Sequence, residues 1–321
     1  MKVREFDVHR NLWGIDLGGT KIEGVILKSA QEPEVLVRHR VPTGASQGYA
    51  HILSQVAQLV QHLAAIAGYR PAALGIGTPG TTVPKTGLMK NCNATVLNGQ
   101  PVRTDLELLL GLRVVMANDA NCFALAETQL GVVRQQFPAA KVVFGIILGT
   151  GVGGGIVVNG KIIGGHHGIA GEWGHNYLSA SEGEPCFCGK TGCIESILAG
   201  PALERFYARH SDQPRPLPEI AARAAARLDP AATQTMERLY RFFGLALSSV
   251  VNLLDPDVIV IGGGVGNIDG LYHAGVAHVQ QHVFDRQFEA PVVKPLLGDS
   301  AGVFGAAFLV AAPVPALVPA A

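Results

Sequence analysis

The chain has 321 residues, 48% hydrophobic and only 16% charged, a composition that suits well-buried sheets with short loops and excludes a disordered or fibrous chain. Lys plus Arg and Asp plus Glu balance at 25 each, so no overall field gathers nucleic acid or an anionic membrane surface, and a small neutral ligand fits better. The length exceeds the usual single core and favours two domains around one cleft. Residues 1–10 hold no continuous apolar run of the kind a signal peptide needs, which makes a cytoplasmic location the expectation. The longest uncharged stretch, 142–160, is thick with glycine and reads as two strands around a turn rather than a membrane span.

In chain order, Gly14-Ile15-Asp16-Leu17-Gly18-Gly19-Thr20 leads through Lys21 into Gly24-Val25-Ile26-Leu27, a strand, a glycine turn and a second strand. Ile52, Val56, Leu59, Val60 and Leu63 recur at helical spacing, and 73–78 and 113–117 read as buried strands. Asn118, Asp119 and Asn121 follow the second of these; they cannot all cap one helix, so at least one is expected to face a ligand. Gly145-Ile146-Ile147-Leu148-Gly149-Thr150-Gly151 then repeats the opening motif, with Gly155-Ile156-Val157-Val158 aligned without a gap on the segment from Gly24. Each half opens with the same hairpin, so the chain reads as an internal duplication with two facing halves. Further on, 236–254 carries a helical apolar stripe, and 257–261 is a β-branched strand running into Gly262-Gly263-Gly264. The tail 313–321, rich in proline and alanine, is expected to be frayed and without chemistry.

Three patterns point to chemistry. Glycine turns expose backbone N–H groups and let phosphate oxygens approach closely. Asp16, on an otherwise apolar strand end, needs a cation, and phosphate-bound magnesium is the candidate. Neither hairpin has the glycine spacing of a Walker loop, and the Gly262–Gly264 triplet is too weak a signal to carry a dinucleotide fold. The five cysteines are an odd number, and a reducing compartment disfavours disulfides. His175 with Cys186, Cys188 and Cys193 offers one imidazole and three thiolates, a set that suits tetrahedral zinc and leaves no open position, so the ion is expected to be structural. Glu172, His175 and Glu195 bracket this loop closely enough to line one wall of a pocket whose carboxylates match adjacent sugar hydroxyls. His166, His167, Cys92 and Cys122 are read as loop or core.

These residues resemble the ROK family, named for repressors, open reading frames and kinases, from about Leu12 to Ala312. The matching pieces are Asp16-Leu17-Gly18-Gly19-Thr20-Lys21, Gly77-Thr78-Pro79-Gly80, Asn118-Asp119-Ala120-Asn121, Gly149-Thr150-Gly151-Val152-Gly153, Gly171-Glu172-Trp173-Gly174-His175 and the cysteine cluster ending at Glu195. The resemblance implies an actin/hexokinase-like (ribonuclease H-like) duplicated α/β fold with a cleft and a zinc knuckle. The expected domains are 1–118 plus 303–321, a small one, and 119–302, a large one holding the zinc loop. It implies an ATP-dependent hexose kinase with Asp119 as base, Glu172, His175 and Glu195 on sugar hydroxyls, and zinc on His175, Cys186, Cys188 and Cys193. Gly80, Asn93 and Asn118 join the expected sugar site. The expected MgATP site lies between the two hairpins and the third glycine turn, drawing on Asp16, Gly18, Gly19, Thr20, Lys21, Gly149, Thr150, Gly151, Gly153, Gly262, Gly263 and Gly264.

The family's repressors carry a helix-turn-helix ahead of the first glycine turn; here about a dozen residues precede Gly14, so no DNA binding is expected. A homodimer is implied. The stretches 91–101, which includes Asn93, and 170–176 look most like fructokinases that also accept mannose; glucokinases and N-acetylhexosamine kinases share the catalytic motifs. A non-catalytic sugar-binding regulator is the alternative from another class, opposed by the intact Asp119 and glycine turns. A nucleic-acid zinc knuckle is opposed by the neutral charge and the 6% aromatic content.

Overall fold

The structure is a computed structural model describing residues 6–285 and 288–311. Residues 1–5 and the tail 313–321, on which two of the expectations above fall, lie outside the described residues. The chain divides into two compact units, one of 6–134, 164–170 and 297–311, the other of 135–163 and 171–296 apart from the two undescribed residues.

The first unit is built on β1 (Leu12–Leu17), β2 (Lys21–Leu27), β3 (Val35–Pro42), β4 (Ala73–Thr78) and β7 (Arg113–Asn118), with a small ribbon of β5 (Thr81–Thr82) and β6 (Met89–Lys90) beside them. The main sheet runs β3-β2-β1-β4-β7; the first three strands are antiparallel, while β4 lies parallel to both β1 and β7. Helix α1 (Tyr49–Ala67) buries the Ile52, Val56, Leu59, Val60 and Leu63 stripe against this sheet. Each such side chain contributes about 1.5–3 kcal/mol relative to exposure. Gly68, at φ +80°, ends the helix in the left-handed conformation open to glycine. Helices α2 (Val102–Leu110) and α3 (Asp119–Gln129) belong here, and α4 (Val132–Gln136) leads out of the unit.

The C-terminal helix (Ala301–Phe308) lies directly on the sheet because glycine clears its path. A Cβ on Gly14 would sit 2.4 Å from the Ala307 nitrogen, and one on Gly75 would sit 1.7 Å from the Ala306 oxygen. Gly305 likewise lets this helix meet α3, where a Cβ would fall 1.8 Å from the Cys122 oxygen.

The second unit repeats the plan with β8 (Val142–Leu148), β9 (Val152–Val158), β10 (Lys161–Ile162), β11 (Val258–Gly262) and β12 (Val292–Val293), ordered β10-β9-β8-β11-β12. Again three strands form an antiparallel meander and two run parallel. Helices α5 (Glu195–Leu198), α6 (Gly200–His210), α7 (Leu217–Ala225), α8 (Pro230–Leu254) and α9 (Ala274–His282) complete it. Phe242, Phe243, Leu247 and Val251 of α8 sit in the core with Ile259 and Ile261 of β11.

The duplication is real in topology and inexact at the turn. Leu17 pairs with Ile22, whereas Leu148 pairs with Val152, so the second turn is one residue shorter and the gapless alignment fails on its return strand. Among the described residues no helix is long and apolar enough to cross a membrane.

Candidate active site and metal cluster

In the first unit, the turn between β1 and β2 leaves Gly19 and Thr20 exposed, closed by the Gly18 N–H on the Lys21 oxygen at 3.0 Å. Thr43, which is buried, braces it twice: its hydroxyl donates to the Gly18 oxygen at 2.6 Å and its N–H to the Thr20 oxygen at 3.0 Å. Sequence reading missed Thr43, since a lone threonine after a strand carries no signal. Asp16 stands opposite Glu23 across the β1–β2 pair. Burial, and then the negative charges of Asp119 and Glu23, push the Asp16 carboxyl up to about 6. Repelling carboxylates of this kind are what a divalent cation relieves, so the donor set fits the magnesium expected beside Asp16.

Asp119 is the first residue of α3, and the side chain of Asn118 is the cap, accepting the Asn121 N–H at 2.9 Å. Asp119 Oδ1 accepts the Ala120 N–H at 2.7 Å and the Asn118 side-chain amide at 3.0 Å, which fixes the carboxylate's orientation. Asn118 is thus both the cap and the partner of Asp119. Burial and then the Asp119 charge push the Cys92 thiol up to about 11, and burial raises Cys122 as well, so both remain protonated. Gly80 is buried, and a Cβ there would lie 2.5 Å from the Lys90 oxygen and 2.6 Å from Cys92 Sγ. Asn93 is exposed, with its side-chain oxygen accepting the Ala94 N–H at 2.7 Å. The 91–101 loop is shaped instead by Asn98, which accepts the Cys92 N–H at 2.9 Å and donates to the Cys92 oxygen at 3.1 Å.

In the second unit, a ring nitrogen of His175 and the sulfurs of Cys186, Cys188 and Cys193 all lie within 4.8 Å of one another. Cys186 Sγ is 3.6 Å from His175 Nδ1, and Cys188 Sγ is 3.6 Å from Cys193 Sγ. Ligands on a tetrahedral zinc at ordinary bond lengths are separated by about 3.5–3.8 Å, so these residues fit the ion. Burial, then hydrogen bonding with the neighbouring thiols, pushes Cys193 up to about 12. A dication reverses that cost by holding the sulfurs as thiolates. Nδ1 is thus the ring nitrogen that His175 turns toward Cys186.

The segment 171–175 packs on β9 through glycines. A Cβ on Gly154 would fall 2.7 Å from the Gly171 oxygen, and one on Gly174 would fall 2.1 Å from the Val152 oxygen. Trp173 donates to the Gly153 oxygen at 3.0 Å and packs edge-on against Phe144. The Gly153–Gly155 run therefore seats the Glu172–His175 turn, a packing role that the sequence did not reveal. Glu195 Oε2 accepts the Val152 N–H at 2.9 Å, and its Oε1 lies 3.9 Å from Cys186 Sγ. This carboxylate joins the cysteine cluster to the Gly149–Thr150–Gly151 turn, where a Cβ on Gly151 would come within 2.8 Å of it. Gly263, at φ +85°, crosses the end of β8 so closely that a Cβ would lie 2.2 Å from the Leu148 oxygen, while Gly264 is exposed. Gly262 closes β11, and the Gly200 N–H at the start of α6 donates to the Gly149 oxygen at 2.8 Å. Within this unit Glu195 thus lies between the cysteine cluster and the Gly149–Gly151 turn, and Gly263 lies against the strand end that leads into that turn.

Sheets of one order in both units, each opening on a glycine hairpin, define the hexokinase-like α/β fold. The model of the ROK family matches residues 12–312, and the chain belongs to that family as one of its sugar kinases. It is 35% identical over 307 residues to an N-acetyl-D-glucosamine kinase of Yersinia pseudotuberculosis, covering 92% of this chain and 98% of that protein. Among solved structures, a ROK hexokinase from Thermus thermophilus superposes with a TM-score of 0.82 at 33% identity, covering 93% of this chain and 97% of the other. A ROK family glucokinase from Streptomyces griseus, solved with glucose and AMPPNP, gives 0.72 at 29% identity, covering 93% and 98%.

Proposed function

We propose that this kinase transfers the γ-phosphoryl group of MgATP to the 6-hydroxyl of N-acetyl-D-glucosamine, with Asp119 as general base. The oriented carboxylate at the start of α3 carries the chemistry: Oδ1 is held by the Ala120 N–H and the Asn118 amide, so Asp119 accepts the hydroxyl proton as the oxygen attacks in line. The sugar preference is supported by the similarity to N-acetyl-D-glucosamine kinases along 92% of the chain. Glu172, His175 and Glu195, with Asn118, Asn93 and Gly80, make up the sugar-binding set. Backbone N–H groups at Gly18, Gly19, Thr20, Gly149, Thr150, Gly151 and Gly153, the side chain of Lys21 and the turn of Gly262, Gly263 and Gly264 serve the nucleotide. Magnesium, beside Asp16, supplies charge neutralisation of the phosphates. Zinc on His175, Cys186, Cys188 and Cys193 supports the Glu172–Glu195 wall.

A second reading, fructose with mannose as a further substrate, rests on the 91–101 and 170–176 stretches; no fructokinase appears among the relatives above. The discriminating experiment measures ADP release with magnesium, ATP and each of N-acetyl-D-glucosamine, N-acetyl-D-mannosamine, glucose, mannose and fructose. N-acetyl-D-glucosamine is expected to give the highest kcat/KM. A lead for fructose would transfer the assignment to the loop reading, and silence on every sugar would overturn the kinase reading in favour of a sugar-binding regulator.

A further inference from the structure

Glu127 lies in the third turn of α3, among apolar neighbours, and is fully buried. A carboxylate in that position is costly unless its oxygens are engaged. Its two oxygens serve two distant parts of the chain. Oε2 accepts the Val132 N–H at 2.9 Å, and Oε1 accepts the Leu297 N–H at 3.0 Å. Val132 lies just before the point where the chain leaves the first unit, after Arg134, and Leu297 is the residue at which it returns. Of the four places where the chain passes from one unit to the other, these two join the main bodies of the units; the other two bound the short excursion 164–170.

The approach is built into the backbone. A Cβ on Gly131 would sit 2.0 Å from Glu127 Oε2 and 2.9 Å from Glu127 Cα, so any larger residue at 131 displaces the carboxylate. The returning segment runs from Leu297 straight into the C-terminal helix, whose Gly302 faces the Asp16 carboxylate: a Cβ there would be 3.1 Å from Oδ2. Glu127 itself lies on the helix that Asp119 opens. One buried side chain therefore ties the Asp119 helix to the outgoing segment and to the segment that leads to Asp16.

We propose that Glu127 is a positioning residue for phosphoryl transfer, clasping the outgoing and returning segments to the helix that carries the catalytic base. The inference rests on the kinase reading above. Because Glu127 lies in the structural interior of α3 rather than at its catalytic start, its effect runs through the geometry of Asp119 and Asp16.

Glu127→Gln and Gly131→Ala test it in the full-length chain. The first replaces one acceptor oxygen with a donor; the second keeps the carboxylate and pushes it away. Each is measured by hydrogen exchange of peptides covering 130–134 and 295–299, by exchange in β1 and β4 as a reference, and by kcat and KM for sugar and ATP. The expected result is exchange at both crossing segments about tenfold faster or more, with β1 and β4 unchanged. It comes with a kcat lowered about tenfold or more, and a KM for either substrate that moves less than about threefold.

Faster exchange with unchanged kcat would make Glu127 merely structural and overturn the proposal. So would a fall in kcat with unchanged exchange at both segments. If Glu127→Gln does not fold, Gly131→Ala decides by the same criteria. A wild-type chain that releases no ADP with any sugar sinks the proposed reaction and, with it, the positioning role; crossing segments as slow to exchange in Gly131→Ala as in wild type sink the clasp itself, whatever the activity.

Discussion

The two glycine hairpins occupy the same place in sheets of the same order, yet they have been put to opposite electrostatic uses. In the first, Asp16 is largely buried, feels the charge of Asp119, and faces Glu23 across the strand pair, where Arg38 and Arg40 pair with that carboxylate. In the second, the position next to the turn is Ile147 paired with Gly153, and the nearby carboxylate, Glu195, arrives from the cysteine loop to hold the Val152 N–H. The first hairpin thus carries a buried carboxylate, Asp16, at the place where a cation is proposed. The second offers bare backbone, with the His175–cysteine cluster joined to it through Glu195. Duplication supplied a common scaffold, and single side chains differentiated it.

The largest expected effect breaks the charged half. Asp119→Asn keeps the start of α3 but removes the base, so kcat should fall by roughly two decades or more while sugar affinity measured by calorimetry changes little. Unchanged turnover would take the base away from Asp119. Next comes the metal half. Cys193→Ser removes one of four ligands, and metal analysis should show zinc content falling well below one per chain. Hydrogen exchange should rise through 172–196, with a loss of several kcal/mol of folding free energy that lowers Tm by about 5–10 °C. The β1–β2 hairpin should keep its exchange rates, because no cysteine of the cluster belongs to its unit. A fully stable, zinc-free variant would refute the structural role.

The sheets, the α1 stripe and the clustering of His175 with the three cysteines were legible because each depends on local pattern: apolar periodicity for Ile52 to Leu63, and residue type and spacing for Cys186, Cys188 and Cys193. What stayed hidden depends on distant approach. The glycines at 14, 75 and 305 look like strand or helix weakening until the C-terminal helix is seen lying against them. The Gly153–Gly155 run read as turn and return strand, and its close approach to the Gly171–Trp173 segment gave no local signal. Glu127 is one acid on a helix with no motif around it, and its partners are five and 170 positions away. The gapless repeat likewise concealed the shorter second turn, since register is set by pairing rather than by composition.

A smaller effect sharpens the electrostatic contrast. Asp16 has a folded-state value raised from 3.8 to about 6, so the native state binds the proton more tightly than the unfolded chain. Stability is then undiminished below about pH 4 and is lost as pH rises through the window from about 4 to 6. In magnesium-free buffer above pH 7, Asp16→Asn should therefore be more stable than wild type, by about 1–3 kcal/mol in urea unfolding, with the difference vanishing near pH 4. Magnesium should narrow the gap by stabilising wild type alone. A variant of equal stability at both pH values would show that neither burial nor the neighbouring carboxylates make ionised Asp16 costly.

The smallest effect tests the braces. Thr43→Val retains the N–H bond to the Thr20 oxygen and the side-chain shape, but it deletes the hydroxyl's 2.6 Å bond to the Gly18 oxygen. One such bond is worth about 1 kcal/mol, and its loss should leave the fold intact. The freed turn lies where backbone N–H groups are proposed to meet phosphate, so KM for ATP should rise severalfold while KM for the sugar stays constant. Glu195→Gln is the matched change at the other hairpin. It keeps an acceptor for the Val152 N–H but alters a proposed sugar ligand, so KM for the sugar should rise more than KM for ATP. If both variants instead raise the two KM values in parallel, the braces act on the fold as a whole, and the division of labour between the hairpins fails.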